Sequence, residues 1–137
     1  MQTEDPHPPG AAETTVKWAH MRSGLAFWTT ATIVMIGTLL LCSKSDPFFA
    51  GLFFVPFTFG PLAVTIGLAV VWRSTLAQYL LTVSSVLYGA WFAFIYAQAV
   101  YVNPDPQSPI AFLFVGVYAT PVLAVFWIAA AVVQWRK

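Results

Sequence analysis

The sequence predicts an all-α fold, an integral membrane four-helix bundle, and three observations carry that prediction. Only 8% of the 137 residues are charged and 59% are hydrophobic, whereas an ordinary soluble domain is about 25% charged. Four apolar runs of spanning length follow one another without an internal charge. The Lys and Arg residues, finally, sort to one side of those runs when the chain is threaded back and forth four times. A soluble chain could not cover its surface with so few charges.

Residues 1–15 (MQTEDPHPPGAAETT) have no apolar periodicity, and Pro6, Pro8, Pro9 and Gly10 work against helix, so they read as a disordered cytoplasmic tail. The transmembrane domain is expected over residues 16–137. It opens with an interfacial segment in which Lys17, His20 and Arg22 flank Trp18, the mixture that the headgroup boundary favours. Neither His7 nor His20 has a His, Cys or carboxylate three or four residues after it, so no metal is expected. Cys42, the single cysteine, cannot form an internal disulfide. A net charge of +1 without a basic, aromatic-interleaved stripe argues against nucleic acid as a partner.

The four spans are placed at about residues 24–43, 48–72, 75–102 and 110–135. The first begins after basic residues, as a signal peptide would. Its apolar core is too long for one and no Ala-x-Ala site follows, so it is expected to stay in the membrane. The second carries Pro56, Gly60 and Pro61, which predict a kink or a short unwinding around Phe57 to Pro61, because each proline removes a backbone bond and crowds the preceding turn. The third, Thr75 to Val102, has no charge across 28 positions, about 42 Å of helix. Ser85, Gly89, Ala93 and Ala97 recur along it every four residues and make the expected helix-packing seam. Gly116, Thr120 and Ala124 repeat the spacing in the fourth span, where Pro121 is an expected kink point.

Threading four spans leaves Lys17, Arg22, Arg73, Arg136 and Lys137 on one side and only Lys44 on the other. The positive-inside rule then puts both termini in the cytoplasm, N-in and C-in. On the far side, Lys44 and Asp46 in one turn face Asp105 and Gln107 in the proline-fixed NPDPQSP loop, and these four are the candidate outer-loop binding groups.

No Asp, Glu, Lys, Arg or His falls inside a span. Such groups mark proton relays, ion sites and substrate counter-charges, so proton-coupled transport is not expected. Small multidrug transporters are similar in size and helix count, but they need a carboxylate in the first span and none is present. No catalytic constellation or phosphate-cradling glycine loop occurs either, and neither an enzyme nor a cofactor is predicted. What remains is packing: an accessory, assembly or homo-oligomeric subunit whose partners are the bilayer and a second copy or another membrane protein. The alternative is a channel or carrier for a neutral or lipophilic solute, with a polar path along Thr58, Thr65, Ser84, Tyr88 and Gln98.

Asp105, Gln107, Phe112, Phe114 and Tyr118 form an Asp-x-Gln loop leading into an aromatic last helix that bears a tyrosine. In this the chain resembles a group of small bacterial four-helix inner-membrane proteins of unassigned activity. The resemblance covers residues 103–118, implies the inner (plasma) membrane and supplies no activity. Gly116 stands where that group would have a proline.

Overall fold

The computed structural model describes residues 24–46, 48–102 and 108–136, and these form four long helices. α1 is Leu25–Lys44, α2 Phe48–Val71, α3 Thr75–Ala97 with a π-helical continuation over Gln98–Val102, and α4 Ser108–Trp135. Among the described residues there is no strand, and all four helices are long and apolar enough to cross a membrane. The expected tail, the basic segment 16–23, Asp105 and Gln107 lie outside the described residues.

Helix ends follow from local chemistry. α1 stops after Lys44, whose cation suits the negative end of the helix dipole. The extended Ser45 then returns its backbone N–H to Cys42 O and its hydroxyl to Leu41 O at 2.7 Å, serving carbonyls that the helix itself leaves open. Of the kink and the unwinding expected in α2, the unwinding does not occur. Pro56 and Pro61 both lie inside it, yet it runs as one helix with no unwinding around Phe57 to Pro61. Pro61 cannot donate to Phe57 O. That carbonyl instead faces α4, where a Cβ added to Gly116 would collide with it and lie 2.9 Å from Thr58 O. The missing side chain lets the Gly116 Cα–H group close on the carbonyl, a weak but favourable contact. α4 likewise continues through Pro121.

The helices pack in the ring order α1, α2, α4, α3. Each of α1 and α4 touches both α2 and α3, whereas no Cα pair of α1 and α4 comes within 8 Å. α2 and α3, although joined by only Trp72, Arg73 and Ser74, face each other across the ring over most of their length. Aromatic rings fill the space between them, with Phe59 5.1 Å from Phe92 and 6.3 Å from Tyr88.

The core falls into two parts. Towards the Lys44 end it is aromatic, with Phe59, Phe92, Tyr96 and Phe112 around Leu41 and Leu62. Towards the Arg73 end it is small, with Ala26, Ala69, Ala77 and Ala130 around Leu81. Side-chain size sets how closely helix axes approach: alanines allow it at the Arg73 end, whereas beside the rings it falls to glycines, a Cβ on Gly51 of α2 lying 2.9 Å from Cys42 Cα of α1.

Candidate functional site

Interior polar side chains tie the helices to one another. The Thr30 and Ser85 hydroxyls, both fully buried, lie 2.6 Å apart and join α1 to α3. Thr58 donates to Phe112 O at 2.9 Å, and Tyr88 donates to Thr58 O, so one α2 residue is held from α4 and from α3. The Trp127 indole donates to Thr65 Oγ1 at 3.0 Å, a second link between α4 and α2. A hydrogen bond between spanning helices stabilises by about 0.6 to 2 kcal/mol, so these links fix register more than they supply bulk stability.

Four of the five expected solute-path residues take part in this interior. Thr58, Thr65, Ser84 and Tyr88 are buried, and each is hydrogen-bonded, Ser84 to Leu81 O and Thr65 to Pro61 O besides the links above. Gln98 is separate: it is half-buried and starts the π-helical segment.

The expected seam on α3 divides. Ser85 is buried against Thr30, and a Cβ on Gly89 would meet the Ile33 side chain at 3.3 Å, so this half faces α1 within the molecule. Ala93 and Ala97 are exposed. Helical geometry explains the division. Steps of four residues overshoot a 3.6-residue turn, so the row rotates by roughly 120° between Ser85 and Ala97. An open groove of about 700 Å³ runs between α1 and α3. Gly89, Ala90 and Ala93 leave room on one bank, and Thr29, Thr32 and Ile36 line the other. Gly37 of α1 borders the same groove, and the Phe59 ring of α2 occupies the place of its missing Cβ.

A smaller cavity of about 340 Å³ opens at the Lys44 end. Lys44, Ser45, Asp46 and Tyr96 contribute its polar groups, and Phe54, Val100 and Phe112 its apolar wall. Two of the outer-loop candidates, Lys44 and Asp46, are thus brought to one cavity.

The Arg73 end holds residues that sequence reasoning passed over. Gln78, 2% exposed, donates through Nε2 to Ala69 O at 2.6 Å and Trp72 O at 2.5 Å, capping the C-terminus of α2 from the first turn of α3. Gln134 of α4 accepts from the Ser74 backbone N–H at 3.2 Å, where α3 begins. The signal was available: a three-residue turn leaves orphan carbonyls on one helix and orphan N–H groups on the next, and an amide just inside either helix can reach them. Two buried atoms here, Ser74 Oγ and Gln78 Oε1, have no hydrogen-bond partner.

Among the described residues no group of His, Cys, Asp or Glu could hold a metal ion. No family model, curated protein or solved structure matches the chain.

Proposed function

We propose that this is an inner-membrane four-helix protein, with both termini and the Arg73 turn cytoplasmic, that works by packing. Its partner is a second copy or another membrane protein, and the chain is an accessory, assembly or homo-oligomeric subunit. The α1–α3 groove carries this reading. A bilayer gives no hydrophobic reward for bringing helices together, so association depends on close packing over small side chains. Gly89, Ala90 and Ala93 offer that surface without using it internally as a backbone contact. Trp28 on the opposite bank is 70% exposed and supplies a large ring for an incoming helix.

The test is Ala93→Leu, which adds bulk to the groove from an exposed position. Association in mild detergent, followed by native mass and chemical crosslinking, should weaken about tenfold, roughly 1.4 kcal/mol. Unchanged association would remove the groove from the reading. Gly89 is a poorer probe, because a larger residue there also pushes on Ile33.

The alternative is a channel or carrier for a neutral or lipophilic solute. It draws on the buried polar side chains Thr58, Thr65, Ser84 and Tyr88. It has the weaker support, because those groups already satisfy one another or nearby carbonyls and Gln98 stands apart from them.

A further inference from the structure

The cavity at the Lys44 end has a chemistry that packing does not use. Its volume, about 340 Å³, falls in the range of small-molecule sites, roughly 300 to 1,000 Å³. Among the described residues, Lys44 and Asp46 are the only charged groups at this end of the bundle, and both line this cavity. Behind them the wall is apolar and aromatic: Phe54 of α2, Phe112 of α4 and Val100 of the π-helical segment. The α3 chain does not end in regular helix here. It widens into a π-helical turn, a rare form concentrated at functional sites, and this turn carries Val100 into the wall. The first apolar span ends at Lys44, so in a bilayer the cavity mouth lies where hydrocarbon gives way to headgroups.

We infer that this cavity binds a phosphoethanolamine group, with Lys44 facing the phosphate, Asp46 the primary ammonium, and the apolar wall receiving the glycerol and upper chain of a lipid. A cation and a carboxylate lining one cavity complement a zwitterionic headgroup better than a ligand carrying only one charge. Asp46 also discriminates between headgroups. A primary ammonium donates hydrogen bonds to a carboxylate, whereas the trimethylammonium of a choline lipid has no N–H to donate. The inference needs the spans to cross a membrane, but not the association proposed above.

The experiment is native mass spectrometry of the full chain, released from detergent with equimolar phosphatidylethanolamine, phosphatidylcholine and phosphatidylglycerol, and separately with water-soluble glycerophosphoethanolamine. The wild type should retain phosphatidylethanolamine about fivefold over the other two, about 1 kcal/mol. Asp46→Asn should erase the preference over phosphatidylcholine while leaving phosphatidylcholine retention unchanged. Lys44→Gln should lower retention of all three phosphate-bearing lipids. Both side chains are exposed, so neither change threatens the fold. Retention of the lipid over the soluble compound supports the site together with its apolar wall; equal retention of the soluble compound would overturn the wall's part and assign a free phosphoethanolamine compound instead. Equal retention of the three lipids by the wild type, or a preference unaltered in Asp46→Asn, would overturn it.

Discussion

The two ends of the bundle are built on opposite plans. At the Arg73 end, Ala26, Ala69, Ala77 and Ala130 meet in the core, and Gln78 and Gln134 bond directly to the backbone of the α2–α3 turn. At the Lys44 end, Phe92, Tyr96 and Phe112 lie about 6 Å apart by ring centroid, and a cavity opens beside them. Small side chains let helix backbones meet, and the amides then satisfy what the short turn leaves open. Bulky rings fill the centre of the other end, where Gly51 and Gly116 let α2 meet α1 and α4, and space remains at the rings' margin. The comparison teaches that one bundle can be closed where it needs only to hold and open where a ligand can enter, with side-chain volume deciding which.

Three substitutions would break or sharpen this contrast. Ala77→Leu puts three further carbons into a fully buried position at the closed end. Overpacking there should cost about 3 kcal/mol, read as a large fall in the midpoint of unfolding in mixed micelles; a small fall would mean that the closed end is looser than the alanine cluster implies. Gln78→Leu keeps much of the volume but removes both bonds to Ala69 O and Trp72 O. The loss should be about 1.5 kcal/mol, since leaving buried acceptors unmet costs about 1 to 3 kcal/mol and the unpartnered Gln78 Oε1 disappears at the same time. Hydrogen exchange at the α2–α3 turn should rise in the same variant. Ala50→Leu adds the same bulk as the first change, but at an exposed position lining the Lys44-end cavity. Its effect on unfolding should stay within about 0.5 kcal/mol, and a cost as large as that of Ala77→Leu would show that the two ends are not different after all.

Some of this was legible in the sequence because it depends on neighbours along the chain. Hydropathy placed the four helices to within a few residues, and the interruption at Arg73 and Ser74 announced a tight turn. The glycine in the fourth span was also visible as a small residue, but its use was not. Gly116 matters because Pro61 leaves the Phe57 carbonyl without a helical donor, and only the folded chain brings that carbonyl to α4. The outer-loop candidates were read as loop groups, whereas Lys44 and Asp46 share a cavity with Phe112, more than sixty residues away in sequence.

By itself, then, the sequence determined that four helices with uncharged interiors form and where they turn back. Charge scarcity and run length are properties of each segment alone, and burying a backbone without water leaves a helix little alternative. Tertiary structure decided the ring order α1, α2, α4, α3, the division of the α3 seam, and which small residues meet a backbone, a ring or nothing. Among the described residues an added Cβ would meet a carbonyl at Gly116, a phenylalanine ring at Gly37, and nothing within 4 Å at Gly60 or Gly67. The four are the same residue in the sequence. What separates them is the surface that another helix presents opposite each one, and that surface exists only once every helix has taken its place.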